Sequence, residues 1–226
     1  MLRAVIFDFD GVITDSEILH FRAFNTVLAP HGFELSKREY YKDYLGLSDK
    51  DCFKALIGEG RLPIQESQVP TLIQQKTQVF EHLARTEGRI IEGVREFLAL
   101  LGRAGVPIAI CSGALRPEIE LILEGAALRG HFDVIVSAEE VRRGKPDPEG
   151  FLLALQKLNH VWPDPIAPEC CVVIEDSHWG LQAARAAGMH TIAVTNTYDA
   201  AQLKQADKVV HRLDDLTLDD LRGICS

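Results

Sequence analysis

The sequence predicts a doubly wound α/β fold, a Rossmann-like parallel-sheet core with a helical domain inserted after its first strand. Three observations carry that expectation. Short apolar, β-branched runs recur and are continuous rather than alternating, which suits strands covered on both faces. Helix-patterned stretches separate the later runs, and such alternation implies parallel pairing. Between Ser16 and Arg85 the alternation stops, leaving several helical patterns and no convincing strand.

The first strand is read at Ala4–Phe7. In the insert, Ile18, Phe21, Phe24, Val27 and Leu28 keep near-helical spacing, as do Leu72, Lys76, Val79, Phe80 and Leu83. Gly58, Gly60, Pro63 and Pro70 mark turns within it. Further strands are expected at Val106–Cys111, Val134–Val136, Cys170–Ile174, Thr191–Val194 and Lys208–Val210. Helices are expected at Val94–Ala104, Pro117–Glu124, Pro148–Leu158 and Trp179–Ala187, with Pro148 near a start and Gly188 just past an end. The resulting division is a core of residues 1–15 and 86–226 and an insert of residues 16–85. Hinges are expected near Asp15–Ser16 and Arg85–Gly88. The acidic tail of Asp214, Asp215, Asp219 and Asp220 reads as a solvated helix face.

With 46% hydrophobic residues the chain can bury a substantial core, and 25% charged residues is ordinary for a soluble protein. A net charge of −9 argues against nucleic acid as the main partner, because phosphate backbones call for surplus Lys and Arg. A small phosphorylated metabolite is not excluded, since a local site holds it. Five cysteines, odd in number and without CxxC spacing, fit reduced thiols in the cytoplasm. Cys111, Cys170 and Cys171 sit in apolar runs and are expected to be buried. No signal peptide is visible, and no stretch approaches the roughly 18 to 20 apolar residues of a membrane span.

The chemistry-bearing residues lie where strands end. Asp8 and Asp10 follow the first strand and head toward the carboxyl edge of the sheet, where open α/β folds bind ligands. Adjacent carboxylates repel, and Mg²⁺ relieves that repulsion through carboxylate, phosphate and water oxygens. Ser112, Gly113 and Ala114 follow the second strand, offering a hydroxyl and backbone N–H groups to phosphoryl oxygens. Lys145 stands between Gly144 and Pro146 after the third. Glu175 and Asp176 end the fourth, supplying the second acidic pair that a metal shared between strands requires.

DFDGVITD, the Ser after the second core strand, the Lys before PDP, and IEDS together resemble the haloacid dehalogenase superfamily. The resemblance covers nearly the whole chain, with the insert in the position of that superfamily's four-helix cap. It implies that Asp8 attacks phosphorus to form an aspartyl-phosphate, and that Asp10 protonates the leaving oxygen and then activates water. It implies phosphoryl contacts from Gly11, Ser112, Gly113, Ala114 and Lys145. Mg²⁺ would be bound by Asp8, the Asp10 carbonyl and Asp176, with Glu175 direct or one water away. The dehalogenase branch resembles this pattern without the second aspartate, so Asp10 points to phosphate esters.

Within the superfamily, GVITDSEILHFRAF and YLGLSDKDCF resemble the β-phosphoglucomutase-like group. His20 matches the cap-hinge histidine of those mutases, and Lys76 lies in a similar late-cap helix. The mutases carry basic residues at the positions of Leu45 and Asp49, which help hold a second phosphate. They also carry a Lys-Asn pair where this chain has Leu115 and Arg116. A phosphatase is therefore expected ahead of a phosphomutase, with a non-catalytic phospho-ligand binder as a further alternative. His20, Leu45, Asp49 and Lys76 are the candidate cap contacts. A monomer is expected, with an oligomer as the alternative.

Overall fold

The computed structural model describes residues 1–45 and 47–225. Gly46, in the Leu45–Asp49 loop singled out above, and Ser226 lie outside the described residues. The chain divides into two compact units, one formed by Met1–Asp15 and the chain from Arg89 onward, the other by Ser16–Gly88.

Strand β1 (Ala4–Phe7) opens the first unit. The second unit holds α1 (Glu17–Leu28), the short α2 (Lys37–Glu39), α3 (Asp49–Gly58) and α4 (Val69–Glu87). Leu19, Ala23, Phe24, Val27 and Leu28 of α1 are buried, the spacing that puts one helix face inward. Phe24, Val27 and Leu28 join Phe53 and Leu56 of α3 and Leu72 of α4 in one apolar cluster. Capping fixes where these helices start. Ser48 Oγ accepts the Asp51 N–H at 3.2 Å, and Pro70 occupies the first turn of α4. After α2, Tyr40–Tyr44 forms a π-helical turn, and the Leu45 N–H reaches the Tyr40 carbonyl at 2.9 Å.

The first unit continues with α5 (Val94–Arg103), β2 (Ile108–Cys111), α6 (Arg116–Gly125) and β3 (Val134–Val136). It then runs through α7 (Glu149–Val161), β4 (Cys171–Glu175), α8 (His178–Ala186), β5 (His190–Val194), β6 (Lys208–Val210) and α9 (Leu218–Ile224). The strands pair in parallel in the order β3-β2-β1-β4-β5-β6.

Each run expected to be a strand is one, with three shifted starts: β2 and β4 begin late, β5 begins one residue early at His190, and β4 runs on to Glu175. Strand β2 begins at Ile108 because the Val106 N–H closes the end of α5 on Leu101 O (3.1 Å) and Pro107 has no N–H to give. Strand β4 begins at Cys171 because Pro168–Cys170 forms a 3₁₀ turn. That turn leaves Cys170 only half-buried, where full burial was expected; Cys111 and Cys171 are buried.

Both sheet faces are covered, which is why the strands read as continuous apolar runs. Ala4, Ile6, Ala109, Cys111 and Val173 pack with Phe151, Ala154 and Leu158 of α7 and Ala183 and Ala184 of α8. On the alternate positions, Phe7 meets Phe97 of α5 edge-on, ring centroids 5.8 Å apart. Toward the C-terminus Asp219 and Asp220 enter the first turn of α9, capped by Thr217. Among the described residues, no helix is long and apolar enough to cross a membrane.

Candidate active site

Strands β1, β2 and β3 extend the sheet in one direction, and β4 then returns to the other side of β1. The order thus reverses between β1 and β4, and such a reversal opens a crevice at the carboxyl ends of the two strands. Asp8 lies at the end of β1, with its N–H on Ile174 O at 2.9 Å. Glu175 and Asp176 lie at the end of β4. The strand register alone brings the two acidic groups side by side.

Lys145, on the connection from β3 to α7, completes the arrangement. Its Nζ donates to Asp8 Oδ1 at 2.6 Å and Glu175 Oε1 at 2.5 Å, and sits 5.1 Å from the Phe151 ring centroid. Burial opposes its charge, yet Asp8 and Glu175 win and hold the ammonium above its ordinary pKa. The other oxygen of Glu175 accepts from the Asp176 N–H (2.9 Å), the Ser177 N–H (2.9 Å) and Ser177 Oγ (2.8 Å). Both ends of the Glu175 carboxylate are therefore occupied.

The turn after Asp8 is shaped for close approach. The Gly11 N–H donates to Thr14 O at 2.7 Å, and because the peptide is planar the Asp10 carbonyl faces the other way. Gly11 has φ +76°, and a Cβ there would fall 1.8 Å from Asp176 Oδ2. Its carbonyl accepts from Asn196 Nδ2 at 2.7 Å, while Thr197 Oγ1 donates to Asp176 Oδ2.

Asp8, Glu175 and Asp176 each offer an oxygen, and these atoms lie within 4.8 Å of one another. Burial raises the pKa of Asp8, with Lys145 opposing the shift and Glu175 and Asp10 adding to it. Burial likewise raises Asp176, followed by repulsion from Asp8 and Glu175. Hard oxygen donors that repel one another in a buried crevice fit a divalent cation such as Mg²⁺. Ser112 stands at the end of neighbouring β2 with its Oγ accepting the Ala114 N–H at 2.9 Å. Ser112, Gly113 and Lys145 line a cavity of about 290 Å³ together with Cys111 and Phe151.

The second unit gathers three further predicted residues. Lys76 Nζ donates to His20 Nδ1 at 2.6 Å and to Asp49 Oδ1 at 2.8 Å, and is 1% exposed. His20 stacks on Phe80 with 4.1 Å between centroids. Burial, then the Lys76 charge, lowers the His20 pKa well below its usual value. An ammonium can only donate, so His20 accepts at Nδ1 and carries its proton on Nε2. Leu45 is half-buried and takes no part in this cluster.

Sequence reasoning missed Thr197, Asn196 and Ser177. Thr197 and Asn196 follow β5, so the rule that found the other strand-end residues would have found them. Gly180 also shapes the site, since a Cβ there would fall 1.6 Å from Glu175 Oε1.

Residues 2–188 match a family model described as haloacid dehalogenase-like hydrolase. The phosphorylated carbohydrates phosphatase of Thermotoga maritima is 32% identical over 213 residues, covering 92% of this chain and 93% of that protein. The chloroplastic 5-amino-6-(5-phospho-D-ribitylamino)uracil phosphatase of Arabidopsis thaliana is 30% identical over 220 residues, 97% of this chain; the match spans 57% of that relative's length. Among solved structures, CbbY from Rhodobacter sphaeroides in complex with phosphate superposes with a TM-score of 0.82 at 27% identity, covering 98% of this chain and 100% of that one.

Proposed function

Since the chain belongs to the haloacid dehalogenase-like hydrolases, we propose that it is a phosphatase acting on a small phosphorylated metabolite of the sugar-phosphate kind, with Asp8 as nucleophile. The observation that carries this reading is the placement of Asp8 at the sheet's reversal point, 2.6 Å from Lys145 Nζ and beside Glu175 and Asp176. A carboxylate there attacks phosphorus if its charge is steadied and the phosphoryl oxygens are neutralised.

In this mechanism an Asp8 oxygen bonds to phosphorus as the ester oxygen departs, and Asp10 gives that oxygen its proton. Asp10 then takes a proton from water as the water attacks phosphorus, releasing phosphate and restoring Asp8. Lys145, Ser112 and the backbone N–H groups of Gly11, Gly113 and Ala114 hold phosphoryl oxygens through both steps. Asp8, the Asp10 carbonyl and Asp176 would hold Mg²⁺, which would supply Lewis-acid neutralisation of the phosphoryl charge. The saturated carboxylate of Glu175 favours its acting one water away rather than as a direct ligand.

The unit Ser16–Gly88 is proposed as the cap, with His20, Asp49 and Lys76 contacting the part of the substrate beyond the phosphoryl group. Leu45 and Asp49, where the mutases resemble this chain but carry basic residues, support hydrolysis over phosphomutase chemistry. The five free cysteines are in keeping with a reducing cytoplasm. The test is phosphate release from p-nitrophenyl phosphate and a panel of sugar phosphates with Mg²⁺. Wild type should turn over and Asp8→Asn should fall to background. Turnover retained by a clean Asp8→Asn preparation would remove the mechanism.

A further inference from the structure

The acidic centre is gripped from two connections. Lys145 reaches it from between β3 and α7, and holds Asp8 and Glu175 but not Asp176. Asp176 is approached instead from the connection after β5, where Thr197 Oγ1 donates to Oδ2. The packing there is tight: a Cβ on Gly11 would fall 1.8 Å from Asp176 Oδ2 and 3.0 Å from Thr197 Oγ1. Neighbouring Asn196 holds the Gly11 carbonyl at 2.7 Å.

We infer that Thr197 is a positioning residue for the divalent-cation site, its hydroxyl selecting the orientation in which Asp176 presents its other oxygen, Oδ1, to the cation. An aspartate at a strand end can turn about χ1 and χ2, and each wrong orientation removes a ligand. A donor on one oxygen selects one orientation and leaves the lone pairs of the other for the metal. Outer contacts of this kind are worth about 10- to 100-fold in metal affinity. Thr197 suits the task because it is exposed on a loop and anchored by its hydroxyl rather than by burial. The inference rests on the metal assignment proposed above, and the following experiment separates the two.

Mg²⁺ is titrated calorimetrically into wild type, Thr197→Val and Thr197→Ser, with a thermal melt of each to confirm folding. Valine keeps the shape of threonine and loses the donor; serine keeps the donor. Thr197→Val should bind Mg²⁺ at least about 10-fold more weakly, and Thr197→Ser should stay near wild type. Wild-type affinity in Thr197→Val overturns the inference and leaves the phosphatase reading standing. An equal loss in both variants means that the retained hydroxyl donor does not rescue binding, and also overturns it. Absence of Mg²⁺ binding in wild type removes the metal assignment and this inference with it.

Discussion

Gly180 lies in the first turn of α8, where replacing a helical glycine by alanine ordinarily stabilises by up to about 1 kcal/mol. Here the added methyl would sit 1.6 Å from Glu175 Oε1 and 1.9 Å from its carboxyl carbon. Glu175 is fully buried and cannot swing into solvent. Moving it breaks bonds from Lys145, Asp176 N–H, Ser177 N–H or Ser177 Oγ. Charge-assisted bonds contribute about 1.5 to 3 kcal/mol each, so losing two and gaining the helix preference leaves a net cost of about 2 to 5 kcal/mol. Urea unfolding of Gly180→Ala measures it, with Gly102→Ala in α5 as the control. A Cβ on Gly102 meets nothing within 4 Å, so that variant should be unchanged or slightly stabilised. Turnover should fall in Gly180→Ala alone, because Lys145 loses the partner that helps aim it at Asp8. A Gly180→Ala protein as stable and as active as wild type would refute the reasoning.

Two further outcomes follow from the charged clusters. Asp176 has a raised folded pKa, so its ionised form costs stability; that cost is absent below the unfolded value near 3.8 and grows as pH rises through the folded pKa. Without Mg²⁺, Asp176→Asn should therefore be more stable than wild type by a margin that widens upward from about pH 4. Denaturation with a chelator present checks this, and a margin that narrows with pH sinks it. His20 has a lowered folded pKa, so it should remain neutral in the folded protein as pH falls through about 6.5, where an ordinary histidine titrates. Nuclear magnetic resonance of its imidazole should show this, with Lys76→Met moving the pKa upward. Ordinary titration of His20 in wild type would mean that the cluster does not form.

The strands were legible because both sheet faces are covered, so Ala4–Phe7 and Val172–Ile174 read as unbroken apolar runs that stop at carboxylates. Lys145 was legible by its place after the third run. The proximity of Asp8 to Asp176 was legible through the family resemblance rather than from the runs themselves, which do not say that β4 lies beside β1 and not beside β3. Thr197 could be found by its place after β5, but its partner Asp176 could not, as that contact follows from β5 lying beside β4. The His20–Lys76–Asp49 cluster needs α1, α3 and α4 packed together, which no local pattern encodes. Asp49 read alone is an acid that repels phosphate; beside Lys76 it is half of an ion pair. Ser112 was legible by its place after the second run, whereas the bond its Oγ accepts from the Ala114 N–H depends on the course of the turn.

The reversal of strand order also sets a schedule for synthesis. Asp8 is synthesised 137 residues ahead of Lys145, and its other neighbours in space, Glu175, Asp176 and, through Asp176, Thr197, come later still. The nascent chain therefore carries Asp8 without its partners until β4 and the connection after β5 have been made. Pairing β1 with β4 closes a long loop, the kind of contact that forms late. Under the proposed mechanism phosphate hydrolysis reports completed sheet assembly, and a chain truncated before Thr197 would lack part of the grip on Asp176.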